Sequence, residues 1–530
     1  MKPQNIQGSD FRCWCWQAIL IFSGLLLLSR TSPAATTRAS YAPGAEFFNE
    51  PTLRTFKFEI PPSELLRLSQ SPRSYATGQV TEAGNLLTKV AIRLRGHGSF
   101  RVLEEKPNFS VKFDEWHSAQ SYRGLGKLMF NNASQDSTFF AELVARGLFR
   151  DAGVPTARAT HAQVILNGRD LGLYVVLEAV NGEFLQQHFK NSKGNLYEAN
   201  LTDIEVPMEQ DTGSRSNQLD RIALASVCML TNQTERWKAL PRMLDVDRFL
   251  SFAAMEMLTA HWDGYVLHTN NYRIYHEPKA DKFYFIAHGM DWAFLRPTLS
   301  IEPPRKSLVT RAVLEIPEGR KLYWDRVGKL FTNFLSFPVL SNRVEQELVK
   351  IRGGKLSSNE ITKAEQGAVL IRERIQKRIS QAAYELAGGK PTPMQFTADN
   401  IAHFVSWRAD HDGGTGAVDR VTVDGKSALH VGAAGSYCHP SWRSLAYLPR
   451  GTYRLEGDVK VAARGPIAAM IRLSGPTDVK VINSATDWQQ MRYEFQVSDD
   501  GNDVECACDF SGAEGEAWFA LDSLRIRRLR

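Results

Sequence analysis

The chain has 530 residues, which at about 150 residues per domain allows two to four domains with a large buried core. Hydrophobic residues make up 43%, aromatic residues 10% and charged residues 23%. This ordinary globular composition excludes a disordered, collagenous or coiled-coil protein. The net charge is only +6 and the charges are spread along the chain, so we expect no nucleic-acid partner.

Residues 1–35 are predicted to be an export signal and not part of the fold. Lys2 and Arg12 precede the apolar run 18–28, and small residues around Ala34 offer a cleavage site, a combination typical of a Sec signal peptide. The alternative is an uncleaved membrane anchor, but the run is shorter than the ~20 apolar residues that a span needs. We therefore expect a secreted, periplasmic or cell-envelope protein that contacts a membrane only through this segment, if it is not cleaved.

Alternation of apolar and polar residues predicts strands in the first part of the chain, near 55–60, 89–96 and 108–114. The segment 161–180 is predicted as a hairpin, because Asn167-Gly168 at its centre is a preferred two-residue turn.

Helical spacing of apolar residues predicts a helix over 136–152, which begins with an Asp or Ser cap and ends at Gly153. A second amphipathic helix is predicted over 246–260 with Asp245 as its cap, and long helices follow up to Leu386. A strand-rich part followed by a helical part indicates an α+β fold.

A Gly- and Pro-containing segment near 389–396 separates helical from strand patterns and is predicted as a linker. Short alternating segments beyond it predict a β-sandwich of jelly-roll type. The predicted organisation is a signal peptide over 1–35, a leader over 36–50, an α+β domain over 51–388, a linker over 389–396 and an all-β sandwich over 397–530.

Four cysteines remain after cleavage, namely Cys228, Cys438, Cys506 and Cys508. Cys506 and Cys508 are predicted to lie on one face of a strand, and an exported chain permits either of them to form a disulfide with Cys438. A cysteine metal site is not expected, because no second close cysteine pair accompanies them.

The window 261–294 contains the residues with the clearest chemistry. Asp263 is followed by Asn270-Asn271, a predicted hairpin and then Asp291, so we expect these side chains to meet at one end of the hairpin. Two carboxylates and a carboxamide suit Mg²⁺ bound to a nucleotide, and protein kinases use the same order of residues. The alternative is that these Asp and Asn residues only cap turns and strand ends.

Over about residues 50–385 the chain resembles the CotH kinase family, which is named for spore coat protein H. The segments that carry the resemblance are long and collinear: IRLRGHGSF (92–100), KPNFSVKFD (106–114), 127–180, GNLYE (194–198) and the window 261–294. The resemblance implies an atypical protein-kinase-like fold with two lobes. It also implies ATP and Mg²⁺ (or Mn²⁺) as cofactors, and phosphoryl transfer to Ser or Thr of a protein substrate.

The resemblance also implies roles for the residues that contact the nucleotide. Gly96, Gly98 and Ser99 match the loop that covers the phosphates, where an ordinary turn is the alternative. Lys112 matches the lysine that pairs with the phosphates, and Glu142 matches its ion-pair partner. A solvated surface lysine is the alternative for Lys112, and Arg146 offers Glu142 a local partner four residues away.

Asp263 is the implied catalytic residue, which accepts or orients the proton of the substrate hydroxyl. Asn271, in preference to Asn270, and Asp291 are the implied metal ligands. Many relatives carry Trp-Asp-x-Asp where this chain has His288-Gly289-Met290-Asp291, so Gly289 replaces a carboxylate. That departure, together with the scarcity of ATP outside the cytoplasm, leaves a second hypothesis open: a non-catalytic surface protein that keeps the kinase fold as a scaffold.

The C-terminal part resembles carbohydrate-binding-module sandwiches over short segments such as GTYRLEGDVK and DWQQMRYEFQV. A cell-surface polysaccharide is therefore a second expected partner. Trp407, Trp442, Tyr447 and Trp488 are candidates to stack on sugar rings, whereas burial in the core is the alternative for at least half of them.

Overall fold

The computed structural model describes residues 42–214, 217–389, 393–410, 416–463, 465, 467–474, 481–497 and 502–530. The export signal predicted at 1–35 lies outside these residues. Within the described ranges, no helix is long and apolar enough to cross a membrane. Helices and strands are mixed along the chain, which confirms the predicted α+β class.

The first seven strands form a closed barrel in the order β1-β2-β3-β4-β5-β7-β6. Their bounds are β1 Arg54–Glu59, β2 Ala76–Glu82, β3 Asn85–Arg95, β4 Asn108–Lys112, β5 Lys127–Asn131, β6 Ala159–Leu166 and β7 Arg169–Glu178. Aromatic rings fill the interior: the ring of Phe58 lies 5.3 Å from that of Phe109 and 5.1 Å from that of Phe130. Because side chains alternate along a strand, the polar residues of β3, β4 and β5 lie on the outer face of the barrel.

The predicted hairpin is confirmed as β6 and β7. Asn167 and Gly168 have φ angles of 47° and 82°, and Leu166 lies opposite Arg169 across the turn. Positive φ at both central residues is what a two-residue hairpin turn of the favoured hand requires.

A second sheet of four strands, in the order β11-β10-β8-β9, packs with the helices. Its strands are β8 Asn195–Glu198, β9 Glu209–Thr212, β10 Tyr272–Glu277 and β11 Lys282–Ala287. The helices are α1 Ala45–Phe48, α2 Pro62–Gln70, α3 Ala141–Asp151, α4 Gly182–His188, α5 Leu219–Cys228, α6 Gln233–Met243, α7 Val246–Leu258, α8 Tyr265–His268, α9 Leu308–Leu314, α10 Pro317–Phe334, α11 Phe337–Arg352 and α12 Ser358–Leu386.

The first predicted helix begins five residues later than expected, at Ala141. Asp136 lies in a turn before the helix, where its carboxylate accepts hydrogen bonds from the amides of Thr138 at 2.9 Å and Ala141 at 3.0 Å. Phe139 has a φ of +66°, which no α-helix contains. The second predicted helix is confirmed as α7, and Asp245 caps it by accepting the amide of Arg248 at 3.0 Å.

Arg378 of α12 ties together the two chain segments that lead into and out of the 261–294 window. Its fully buried guanidinium donates to the carbonyl of Leu258 at 3.1 Å and to that of Pro297 at 3.2 Å, and also to those of Met257 and Leu299. These bonds satisfy carbonyls at the end of α7 that have no partner within the helix.

We expect Arg378→Met to lower the free energy of unfolding by about 3 kcal/mol, because it keeps the volume but leaves buried carbonyls without donors. Chemical denaturation measures this loss. Arg372→Met on the same helix is the control, since Arg372 is only half-buried and pairs with Glu345 near the surface. Equal losses in the two variants would contradict the special role of Arg378.

The C-terminal part consists of strands around its own hydrophobic core. Its strands are β12 Ile401–His403, β13 Arg408–Asp410, β14 Ala417–Val423, β15 Lys426–Cys438, β16 Ser441–Leu448, β17 Gly451–Ala463, β18 Ile467–Leu473, β19 Ala485–Val497, β20 Asn502–Ala520 and β21 Arg525–Arg528. The first half of β20 pairs with β16 and β18, and its second half pairs with β15 and β17. We refer to these strands as the C-terminal module.

Cys506 and Cys508 both lie in the core of the C-terminal module, as predicted for one strand face. They are free thiols, so the disulfide that the sequence suggested with Cys438 is not formed. Burial raises the pKa of both thiols, which keeps them protonated and unreactive.

Candidate functional site

Asp263 and Asn271 are joined by direct hydrogen bonds. The Asn271 side-chain amide donates to the Asp263 carboxylate at 2.7 Å and to the Asp263 carbonyl at 3.0 Å. The side-chain amide of Asn270 donates to the same carboxylate oxygen at 3.1 Å. Asp263 lies in the turn after α7 and Asn271 lies directly before β10. The structure therefore brings together the two residues that the spacing placed at one end of the hairpin.

Gly289, the departure from the family pattern, lies against this pair. Its φ is +51°, and a Cβ atom added to it would lie 2.3 Å from the Asn271 Oδ1 atom. No side chain therefore fits at this position while Asn271 keeps its hydrogen bonds to Asp263.

We expect Gly289→Asp to lower the free energy of unfolding by about 1–3 kcal/mol and to weaken nucleotide binding, although it restores the carboxylate of the relatives. Thermal denaturation and nucleotide titration measure the two effects. Gly84→Asp is the control, because Gly84 has a φ of +83° but nothing within 4 Å of the added Cβ. Stronger nucleotide binding in Gly289→Asp would contradict this expectation.

Asp291 lies in a concentration of negative charge. Burial, followed by the nearby carboxylates of Glu142, Asp263 and Asp136, raises the pKa of Asp291 to about 7. Burial also raises the pKa of Asp263 and that of Asp136. The structure thus places Asp291 within electrostatic range of Asp263, Glu142 and Asp136, and a cation near Asp291 would stabilise its charged form.

We call Asp136, Glu142, Asp263 and Asp291 the acid cluster. Within this cluster, Glu142 has a different partner from the predicted one. It pairs with Arg146, whose Nε atom donates to the carboxylate at 2.8 Å, and both side chains are buried. It also accepts the amide of Met290 at 3.3 Å. The expected ion pair between Lys112 and Glu142 is therefore absent, and Glu142 instead supports the residue that precedes Asp291.

Lys112 lies at the far end of its strand from the acid cluster. Its side chain is on the outer face of the barrel, and its Nζ atom lies 2.5 Å from the Glu115 carboxylate. This hydrogen bond raises the pKa of Lys112. Asn108, which borders the acid cluster, is four residues away along β4, or about 13 Å at the rise of a strand.

The loop that matches the phosphate-covering segment does reach the acid cluster. Gly96 has a φ of +101°, directly after β3 ends, and the loop continues to Asn108. The side-chain amide of Asn108 donates to the Ser99 hydroxyl at 2.9 Å and to the Ser99 carbonyl at 3.0 Å. Ser99, Glu142 and Asp291 line one small cavity, and Gly98 lies beside Gln135 of the same cavity.

A group of cations outside the predicted site residues extends from the acid cluster, with Arg95 opposite Asn108 at the cluster and Lys127 opposite Lys112 at the far end. It consists of Arg93, Arg95 and Lys127 on the outer face of β3 and β5 and of Arg273 on β10. Burial, and then the charges of the three arginines, lowers the pKa of Lys127, so the four side chains lie within electrostatic range of one another. We call the region between the outer face of these barrel strands and the second sheet the cleft. The signal was present in the sequence, since these residues occupy the polar positions of alternating strands.

Arg95 and Arg273 are the cations of this group that interact with carboxylates. Burial lowers the pKa of Arg95, while the charges of Glu198, Glu142 and Asp291 act in the opposite direction. Arg273 donates to Glu198 at 2.6 Å and to Asp211 at 2.8 Å. The cleft thus contains four cations, of which Arg273 is paired with two carboxylates, and it has a carboxylate cluster at one end.

His261 joins the two loops that carry the candidate residues. Its Nε2 atom lies 2.9 Å from the carbonyl oxygen of Gly289, and its Nδ1 atom lies 3.5 Å from the buried carboxylate of Glu256. Glu256 in turn accepts the amides of Tyr265 at 3.0 Å and Val266 at 2.7 Å. This buried network sets the distance between the Asp263 and Asp291 loops.

The donor set fits a hard divalent cation bound together with a phosphate ligand. In the described part of the chain, no three His, Cys, Asp or Glu side chains are grouped closely enough to hold a metal ion. Mg²⁺ needs few protein ligands when phosphate and water oxygens complete its shell. Asp291 and the carboxamide of Asn271 would supply the protein oxygens, and the raised pKa of Asp291 is the observation that favours a cation there.

Fold and site together define an α+β protein with a closed barrel and a carboxylate–carboxamide site in a cleft lined with cations. The family model described as CotH kinase protein matches residues 92–410, more than half of the chain. The chain belongs to this family, which confirms the resemblance found in the sequence.

Two curated relatives are similar to parts of the chain. Inner spore coat protein H of Bacillus subtilis (strain 168) is 21% identical over 203 residues, which cover 35% of this chain and 54% of the relative. Spore coat protein homolog 1 of Rhizopus delemar is 24% identical over 234 residues, which cover 39% of this chain and 37% of the relative. The chain thus spans about half or less of the length of these relatives.

A solved structure titled "CBM4 structure and function" is also similar to part of the chain. It is 21% identical, covers 23% of this chain and 86% of its own, and has a TM-score of 0.18.

Proposed function

We propose that this protein is an atypical kinase that binds ATP with Mg²⁺ or Mn²⁺ in the cleft between the barrel and the second sheet. In this proposal the two sides of the cleft act as the two lobes of a kinase-like fold. The product is a phosphorylated Ser or Thr of a protein substrate.

The observation that carries the proposal is the pairing of opposite charges across one cleft. Asp263, bonded to Asn271, lies within electrostatic range of Asp291, and so does Arg95 on the barrel, which lies opposite Asn108 of the cavity that Asp291 lines. A nucleotide triphosphate bound to a metal needs both features, because its phosphates require cations and its metal requires oxygen ligands.

The chemistry would be mainly positional. The substrate hydroxyl oxygen would attack the γ-phosphorus in line with the bond to the β–γ bridging oxygen, and ADP would leave as that bond breaks. Asp263, oriented by Asn270 and Asn271, would accept the hydroxyl proton. Arg95 and Arg273 would hold the phosphates in place and oppose their charge. A metal held by Asp291 and Asn271 would neutralise the remaining charge of the phosphates.

The test is a nucleotide-binding and autophosphorylation assay on the full chain, with Mg²⁺ or Mn²⁺ and with a chelator. Metal-dependent binding and incorporation of labelled phosphate would support the kinase. Metal-dependent binding without transfer would favour the alternative of a pseudokinase scaffold, and absence of nucleotide binding would refute the site assignment.

We also infer that the protein is exported and acts at a surface. The sequence of residues 1–35 supports export, and the relatives carry names of spore coat proteins and invasins. Fractionation of cells that produce the full chain tests this inference, because a cytoplasmic protein of unchanged mass would contradict it.

The C-terminal module offers an aromatic face that suits a polysaccharide. Trp407 and Trp442 are buried in the core, which removes two of the four predicted stacking residues. On the outer face, His430 lies opposite Trp518, and Trp518 lies opposite Lys460. Asp424 connects this row to Trp488, accepting from Lys460 at 2.7 Å and from the Trp488 indole at 3.0 Å.

Two partly exposed indoles among hydrogen-bonding groups can stack on sugar rings and bind their hydroxyls. We expect Trp488→Ala and Trp518→Ala to reduce binding to insoluble polysaccharides by about tenfold or more. Trp116→Ala is the control, because Trp116 is an exposed indole on the barrel domain. Equal binding by all variants would refute the glycan site.

A further inference from the structure

Arg296 links the candidate catalytic loops to the C-terminal module. Its guanidinium carbon lies 3.4 Å from the centre of the Trp262 ring, directly before Asp263. The Trp262 ring lies 5.5 Å from that of Trp292, the residue after Asp291. Arg296 therefore packs against a contact between two indole rings, one from each loop.

The charge of Arg296 is balanced from the other domain. Its Nη2 atom bonds to the carboxylate of Glu505 on β20, and the two side chains are 4% and 3% exposed. Arg408 of the same module lies 3.7 Å from that carboxylate. A buried cation is stable only while it is paired, so the packing of Arg296 on Trp262 depends on the module.

A second arginine lies within electrostatic range of both the site and the module. Burial lowers the pKa of Arg374 of α12, and the charges of Asp136 on the site side and of Arg408 and Asp410 on the module side act on it as smaller effects. Asp136 lines the same cavity as Asp291. The ion pair between Arg296 and Glu505 remains the direct contact from which the link is argued.

Loss of Glu505 would leave the Arg296 guanidinium without its carboxylate partner. One alternative on the site side is Asp263, which directly follows Trp262 and whose carboxylate lies within electrostatic range of Arg296. An ion pair between Arg296 and Asp263 would occupy the residue that is proposed to accept the substrate proton. It would also move Trp262 and the loop that follows it.

We propose that Glu505 and Arg296 are positioning residues through which the docked C-terminal module holds the Asp263 loop in its active arrangement. The expected effect of replacing these residues on phosphoryl transfer rests on the proposed kinase function. Their expected effect on the order of the Asp263 loop does not depend on that function.

The test compares Glu505→Gln with Glu456→Gln in the full chain. Glu456 is the matched control, because it is a buried carboxylate of the same module that pairs with Arg525 at 2.9 Å. Hydrogen exchange without nucleotide is measured over 261–269, where the amides of Gly264, His268 and Thr269 are hydrogen-bonded. We expect exchange there to rise at least tenfold in Glu505→Gln and less than twofold in Glu456→Gln.

Transfer kinetics give the second measurement. We expect Glu505→Gln to lower kcat at least tenfold with KM for ATP within twofold, and to have no further effect when Arg296 is already replaced by Met, because the two residues act as a unit. Glu456→Gln should change neither constant by more than twofold. If Glu505→Gln does not fold, Arg296→Lys replaces it, since it keeps the charge but loses the planar contact with Trp262.

Hydrogen exchange over 261–269 tests the positioning role of Glu505 and Arg296. Phosphoryl transfer by the wild-type chain tests the proposed kinase function. If Glu505→Gln and Glu456→Gln behave alike in exchange, the positioning role is refuted whatever the activity. If the loop responds only to Glu505→Gln while the wild-type chain transfers no phosphate, the positioning role stands and the kinase proposal fails.

Discussion

Asp291→Asn is expected to abolish most metal-dependent transfer while leaving the protein as stable as before or more stable. Asn keeps the size of Asp but removes a negative charge from the proposed cation site, so transfer should fall on the order of 100-fold or more. Nucleotide affinity in the presence of Mg²⁺ should fall with it. Autophosphorylation and titration with Mg-ATP measure these losses.

The stability of this variant should depend on pH in a defined direction. The folded-state pKa of Asp291 is raised from 3.8 to about 7, so ionisation of this carboxyl costs more in the folded protein than in the unfolded chain. The cost grows as the pH rises from about 4 to about 7 and is constant above. Asp291→Asn removes it, and we expect a gain of up to about 4 kcal/mol at pH 8 that disappears near pH 4.

Asp245→Asn is the matched control for Asp291→Asn, because Asp245 caps α7 through the amide of Arg248 and has no role in the site. That variant should leave nucleotide binding unchanged. A loss of stability without ligand in Asp291→Asn, with the response to Mg-ATP intact, would show that Asp291 is a structural residue.

Arg95→Met is expected to weaken Mg-ATP binding by about 10- to 100-fold, whereas Lys112→Met is expected to change it less than twofold. Arg95 faces Asp291 and Glu142, and a charged hydrogen bond to a phosphate is worth about 1.5–3 kcal/mol. Lys112 pairs with Glu115, and its side chain is 36% exposed, so its removal should cost less than about 1 kcal/mol of stability. Calorimetric titration measures both affinities.

Comparing the Mg-ATP affinities of Arg95→Met and Lys112→Met also decides which of the two residues is the phosphate-binding cation. Resemblance to the family points to Lys112, and the geometry of this cleft points to Arg95. A large loss of affinity in Lys112→Met with wild-type affinity in Arg95→Met would favour Lys112, and would require the barrel and the second sheet to rearrange when nucleotide binds.

The sequence by itself was sufficient to predict the structural features that depend on residues close together in the chain. Alternation located β1, β3 and β4, and Asn167-Gly168 located the hairpin turn, because two-residue turns need residues that adopt positive φ. The order Asp263, Asn271 and Asp291 around a hairpin predicted that these side chains meet, and the contact between Asp263 and Asn271 is present. Local patterns were sufficient because strand faces, turns and hairpin ends are determined within about ten residues.

Other features were decided only by the tertiary structure. Helix α3 begins at Ala141 because Asp136 bonds to the turn before it, although the apolar spacing extends further back. Glu142 pairs with Arg146, and Cys506 and Cys508 share the predicted face but form no disulfide. Each outcome depends on which groups are brought within hydrogen-bonding or bonding distance, and periodicity contains no such information.

The identity of the cation nearest the acid cluster is a further feature that the sequence alone did not decide. The resemblance assigned the phosphate contact to Lys112, and the sequence did not single out Arg95. Register decides between them, since Arg95 lies opposite Asn108 at the cluster while Lys112 lies opposite Ala91. The contact of Glu505 with Arg296 joins positions far apart in the chain. The sequence therefore determined which faces the charged residues occupy, and only the packing of strands and domains determined which charges meet.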